Sequence, residues 1–190
     1  ELRDAMALGQ LELHYQPQVD IHSGELLGLE ALLRWRHPES GYIPPSRFIP
    51  VAEESGLISE LDAWVMRTAL AQQAAWRAAG FRIPTVSVNV SATRFYRTDF
   101  CDQVAALLKE YWVAPECLDL ELTERIAMVH SSATLNTLTR LHDMGLTLSI
   151  DDFGTGYSSL SYLKRYPVSK LKIDKSFVDG LDDAPEDQAI

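Results

Sequence analysis

Cysteine and histidine are scarce in this sequence, with two and five respectively among 190 residues. Cys101 and Cys117 are too few for a disulfide framework and stand at no metal-like spacing from any histidine, so both read as packing residues in a reducing cytoplasm. No apolar run approaches the ~20 residues needed to cross a bilayer, and the first residues lack the charged-then-apolar pattern of a secretory signal. A soluble chain without membrane contact is expected, although other parts of a parent protein could carry an anchor. Basic residues are outnumbered, 17 Lys and Arg against 27 Asp and Glu, for a net charge of −10. With no basic excess to displace counterions, long nucleic acid is excluded as a partner. A small phosphate ligand is not, provided that bound divalent metal and a few basic residues make a local cationic site. Internal repeats, low-complexity tracts and Gly/Ser linkers are also absent, and LDDAPEDQ at 181–188 is the one charge-biased stretch.

What is present is enough for one domain with a sizeable core: 46% of the residues are apolar. Short apolar strands alternate with amphipathic helices, which favours βα units and a parallel sheet. Strands are predicted at 11–19, 26–35, 85–91, 118–124, 146–152 and 170–177. A helix is predicted after Leu57, with Ser59 and Asp62 as a capping box, Leu61, Trp64, Val65, Ala69, Gln72 and Trp76 at helical spacing, and Gly80 as the stop. Another follows Ser131 with Leu135, Leu138 and Leu141 on one side, a third lies within 102–111, and ELRDAMALGQ reads as a helix leading into the domain. Only DIHSGE separates the first two strands, which suits a hairpin and makes the first strand antiparallel to the second.

The most informative pattern is alternation with a period of two, because residues i and i+2 of a strand share a face. Ser87, Asn89 and Ser91 oppose Val86, Val88 and Val90; Asp119, Glu121 and Thr123 oppose Leu118, Leu120 and Leu122. Thr147, Ser149 and Asp151 oppose Leu146, Leu148 and Ile150; Lys170, Lys172 and Asp174 oppose Leu171 and Ile173; Glu30 and Arg34 share a face with Leu32. An antiparallel sheet with one solvated face would also alternate in this way. The intervening helices argue instead for a barrel, with helices covering the apolar faces and polar side chains converging near the carboxyl ends of the strands. Buried side by side, Glu30, Glu121, Asp151 and Asp152 would repel one another, a conflict that a bound cation removes. The donors, including the Asn89 amide, are all oxygen, which favours Mg²⁺ or Mn²⁺ over Zn²⁺. Adjacent Asp151 and Asp152, where a strand runs into FGTG, could bridge two ions. His22, His37, His130 and His142 form no ligand cluster, and Trp64 and Trp76 read as core.

EALLRW at 30–35, DDFGTGYSSL at 151–160 and KIDKSFV at 172–178 closely resemble the EAL phosphodiesterases. HYQP at 14–17, FIPVAEESGLI at 48–58, VNVS at 88–91 and ELTE at 121–124 extend the likeness, in order, over nearly the whole chain. The resemblance implies a TIM-barrel-like (β/α) barrel with a reversed first strand, here without its last βα units, so that residues 1–190 form one EAL domain truncated at its C-terminal end. It implies Glu30, Asn89, Glu121 and Asp151 as ligands of one metal, with Asp151 and Asp152 reaching a second. Lys172 would hold the attacking water, Arg34 and Gln16 would contact substrate, and Glu124 would secure the loop after Asp152. The implied activity is metal-dependent hydrolysis of cyclic di-GMP to linear pGpG; the alternative is a receptor that binds this nucleotide without turning it over. An upstream GGDEF or sensory domain and a homodimer are the partners that the resemblance suggests.

Overall fold

The computed structural model describes residues 1–127, 129, 131–155 and 165–179. His130, the end of the DDFGTGYSSL motif (156–160) and the acidic stretch 181–188 lie outside the described residues.

Strand β1 (Leu11–Val19) and strand β2 (Leu26–His37) pair antiparallel, with Gln16 opposite Glu30. Asp20 shapes the turn between them: its carboxylate accepts the backbone N–H groups of His22 and Ser23 at 2.9 and 2.7 Å, and Gly24 follows at φ +71°. Short β3 (Gly41–Ile43) pairs with β2 off the main path. From β2 the sheet runs parallel through β4 (Val86–Asn89), β5 (Leu118–Thr123), β6 (Thr147–Phe153) and β7 (Lys170–Ile173). The order β1-β2-β4-β5-β6-β7, with helices between the parallel strands, is part of a TIM-like barrel with a reversed first strand.

Helices α1 (Leu2–Ala7), α2 (Pro45–Glu54), α3 (Ile58–Ala78), α4 (Ala92–Phe95), α5 (Phe100–Tyr111), α6 (Glu124–Ala127) and α7 (Ser132–Asp143) complete the main architecture, and a last turn of helix spans Ser176–Asp179. The outward faces of β4, β5 and β6, including Val88, Leu118, Leu120, Leu122 and Leu148, are completely buried. They meet Met66, Phe95, Phe100 and Leu138 from the helices. A second cluster seats α1 and α2 against Leu11, Trp35 and Leu61, with the Trp35 and Phe48 rings edge to face at 5.7 Å. The outward side chains of β7 differ, since Leu171 and Ile173 are exposed.

Two helix details depart from the sequence reading. Ser59 and Asp62 do not cap α3: the helix starts after Leu57 without a side-chain cap. Asp62 instead turns inward, where its carboxylate accepts both the backbone N–H and the hydroxyl of Ser91 at 3.0 and 2.5 Å. In α7 the buried stripe is Thr134, Leu138 and Leu141, while Leu135 is exposed. Spacings of i, i+4 and i+7 share one side of a helix, and Leu135 lies off that stripe. Gly80 does end α3, at φ +83°, with its N–H on the Arg77 carbonyl and that of Phe81 on Trp76.

Candidate functional site

Alternation along each strand and the stagger between strands bring one side chain apiece from β2, β5, β6 and β7 to a single point. Glu30, Glu121 and Asp151 each offer a carboxylate oxygen there, all within 4.8 Å of one another. The Lys172 ammonium sits among them and donates to Glu121 at 2.6 Å, to Asp151 at 3.0 Å and to Glu30 at 3.1 Å. Asn89, at the end of β4, donates from its side-chain amide to Glu30 at 3.1 Å, which leaves the amide oxygen available as a further donor atom.

Three carboxylates against one ammonium leave this cluster with surplus negative charge. Burial pushes the Glu121 carboxyl up to about 7; the Lys172 hydrogen bond opposes that shift, and the neighbouring charges of Glu30 and Asp151 add to it. For Lys172, burial acts to release the proton, but the hydrogen bond and charge of Glu121, with Asp151 and Glu30, outweigh it and hold the ammonium above its ordinary range. The Glu121 side chain is fully buried, whereas those of Glu30, Asp151 and Lys172 keep 15, 21 and 26% of their exposure. Oxygen donors alone, partly open to solvent and short of positive charge, are the donor set of a hard divalent cation. This acidic cluster fits a metal ion.

Asp152 lies beside the cluster without joining it. Its backbone takes φ +52°, rare for a residue other than glycine, and its N–H turns back to the Asp151 carboxylate at 3.0 Å. Burial raises the Asp152 carboxyl, as do the charges of Asp151 and Asp174 and a hydrogen bond with the Asp174 side chain. Glu124 accepts the Gly154 N–H at 2.9 Å. Gly154 holds φ +102°, and a Cβ there would lie 2.7 Å from the Phe177 ring, so the loop after Asp152 accepts only glycine without rearrangement.

Arg34 donates to its neighbour's carbonyl, Leu33 O, at 2.9 Å, and with Asn89, Glu124 and Asp152 lines a cavity of about 920 Å³ at the carboxyl ends of the strands. That volume suits a small-molecule ligand. Gln16 is exposed and makes no side-chain hydrogen bond among the described residues; Gln18, two residues on along the same face, reaches Glu121 at 3.4 Å instead. Gln18 is absent from the sequence reading, although it lies two positions along the same face from Gln16; Asp174 is read there only as one more polar residue on the face of Lys172, with no sign of its contact with Asp152. No histidine or cysteine joins the cluster among the described residues, and both cysteines are free. No helix among the described residues is long and apolar enough to cross a membrane.

The chain resembles known proteins over its full length. It is 45% identical over 190 residues to the bifunctional diguanylate cyclase/cyclic di-GMP phosphodiesterase MucR of Pseudomonas aeruginosa, covering 100% of this chain and 28% of that protein. It is 46% identical over 178 residues to the oxygen sensor protein DosP of Escherichia coli, covering 94% of this chain and 22% of that one. The chain thus spans less than a third of the length of these curated relatives. Among solved structures, the PaMucR phosphodiesterase in complex with c-di-GMP superposes with a TM-score of 0.95 at 45% identity, over 99% of this chain and 76% of that chain. The family described as EAL domain matches residues 1–190, and the chain belongs to that family.

Proposed function

We propose that this chain carries the catalytic face of a phosphodiesterase that opens cyclic di-GMP to linear pGpG. The observation that carries the reading is the convergence of Glu30, Glu121 and Asp151 around Lys172 at the carboxyl ends of parallel strands. The names of relatives such as MucR supply the substrate class. In this reading Glu30, Asn89, Glu121 and Asp151 hold Mg²⁺ or Mn²⁺, and Asp151 and Asp152 reach a second ion. When bound, such ions supply Lewis-acid charge for activating water and for stabilising the phosphate oxygens.

The chain's own residues do the rest. Lys172 keeps its proton and orients the attacking water while neutralising charge at the scissile phosphate. The water oxygen bonds to phosphorus as the bond to the departing ribose 3′-oxygen breaks, and the displaced protons pass to that oxygen and to solvent. Arg34, at the cavity rim, receives a phosphate, and Gln16 contacts the substrate from β1. Glu124 holds the loop after Asp152 through the Gly154 N–H.

We further infer that the chain works in the cytoplasm as part of a longer signalling protein with a GGDEF or sensory domain, as the names of MucR and DosP suggest. The test is incubation of the full-length protein with cyclic di-GMP and Mn²⁺, beside a chelated control and Asp151→Ala. Metal-dependent pGpG that Asp151→Ala abolishes supports hydrolysis at this site. Tight nucleotide binding without product selects the receptor reading, and neither binding nor product ends both.

A further inference from the structure

One layer below the carboxylate cluster lies a second polar network that no role above uses. Its centre is Asp119 on β5, fully buried. Its carboxylate accepts the Ser87 hydroxyl at 3.2 Å, the Ser149 hydroxyl at 2.8 Å and the Lys170 ammonium at 2.9 Å. These partners come from β4, β6 and β7, so one carboxylate ties together four consecutive strands of the sheet.

Every member of this lower layer stands two residues before a member of the upper one. Ser87 precedes Asn89, Asp119 precedes Glu121, Ser149 precedes Asp151 and Lys170 precedes Lys172. Residues at i and i+2 share a face and lie about 6.6 Å apart along a strand, so fixing the lower residue fixes the direction of the upper one. The constraint matters most for β7, whose ladder with β6 carries a register shift between Ile150 and Phe153. Lys170 reaches across β6 to Asp119 as Lys172 reaches across β6 to Glu121, two parallel rungs from one strand to another that is not its neighbour.

We propose that Asp119, with Lys170, is a positioning residue for the cation site: it sets the register and direction of the strands that present Asn89, Glu121, Asp151 and Lys172. The inference rests on the cation reading given under Proposed function. Residues that orient metal ligands without touching the metal affect affinity by about 10–100-fold when removed. Asp119→Asn keeps an acceptor for the serine hydroxyls and loses the charge that holds Lys170.

The test is Mn²⁺ titration of the full-length protein without nucleotide, followed by electron paramagnetic resonance, for the parent, Asp119→Asn and Leu138→Ala. Leu138 is fully buried in α7 and belongs to neither polar layer, so its variant reports what loss of stability alone does to affinity. Expected is a dissociation constant about tenfold higher for Asp119→Asn and within about twofold of the parent for Leu138→Ala. An unchanged constant in Asp119→Asn, or an equal loss in Leu138→Ala, overturns the inference while leaving the cation site standing. A parent that binds no Mn²⁺ overturns the cation reading itself. If Asp119→Asn does not fold, Lys170→Gln, which removes the same charge pair from its partly exposed side, is read by the same criterion.

Discussion

Replacing Lys172 by methionine isolates the electrostatic problem at the centre of the site. The substitution removes three charge-assisted hydrogen bonds, of 2.6, 3.0 and 3.1 Å, and leaves Glu121, Asp151 and Glu30 facing one another. Breaking a buried ion pair by deleting one partner costs about 3–5 kcal/mol. The side chains of Lys172, Asp151 and Glu30 retain 26, 21 and 15% of their exposure, and Glu121 can relieve the repulsion by taking up a proton. Both effects place the expected loss nearer ~2–3 kcal/mol. For a chain of this size that lowers the melting temperature by about 4–12 °C in metal-free buffer. Mn²⁺ should then raise the melting temperature of Lys172→Met by more than that of the parent, because the cation supplies the charge that the substitution removed; a ligand at a hundred times its dissociation constant contributes about 2.7 kcal/mol. Thermal unfolding followed by circular dichroism, with and without Mn²⁺, reads both numbers. Equal melting temperatures for the two metal-free proteins, or equal Mn²⁺ shifts, would refute the reasoning.

The raised carboxyl of Glu121 makes cation binding dependent on pH, since the carboxylate must lose its proton to act as a ligand. With a folded-state pKa of about 7, Mn²⁺ affinity falls about tenfold per pH unit below 7, which calorimetry between pH 8 and 5 would detect. The same shift has the opposite sign for the metal-free fold: because the folded value lies above the ordinary 4.5, this group's contribution to stability is present below pH 4.5 and is lost as pH rises through about 7. Gly154→Ala would force a side chain into a left-handed conformation and into the Phe177 ring, an expected loss of about 1–3 kcal/mol in thermal unfolding together with weaker Mn²⁺ binding. Asp62→Ala leaves the Ser91 N–H and hydroxyl without their acceptor and should cost about 1–3 kcal/mol, whereas Asp62→Asn, which keeps an acceptor, should cost less.

Much of the fold was legible because strand alternation is a local property. The pattern Asp119-Glu121-Thr123 against Leu118-Leu120-Leu122 states which side chains face inward whatever the neighbours are, and the six-residue DIHSGE link left room only for a hairpin. Glu30, Glu121 and Asp151 stand out because each is an acid on such a face, whereas Asp152, grouped with them on the sequence alone, is one residue on from Asp151 and stays outside the cluster. The misses were matters of three-dimensional context. Ser59 and Asp62 match a capping pattern in one dimension, but Asp62 is drawn to Ser91, 29 residues away, across the boundary between helix and sheet. Leu135 is apolar and helical yet lies off the stripe that α7 buries. Gln18 is one polar strand residue among many in the sequence, and only the placement of β1 on the sheet brings it to Glu121, 103 residues away. Asp119 looked like one more alternating polar residue, since the pairing of two lysines with two carboxylates emerges only once β7 is placed beside β6.

The most direct measurement is anomalous diffraction at the manganese absorption edge from crystals of the protein grown with Mn²⁺. The account predicts a peak bounded by the carboxylates of Glu30, Glu121 and Asp151 and the side-chain oxygen of Asn89. A manganese peak held by other residues, or none in crystals whose protein binds Mn²⁺ in solution, would contradict it.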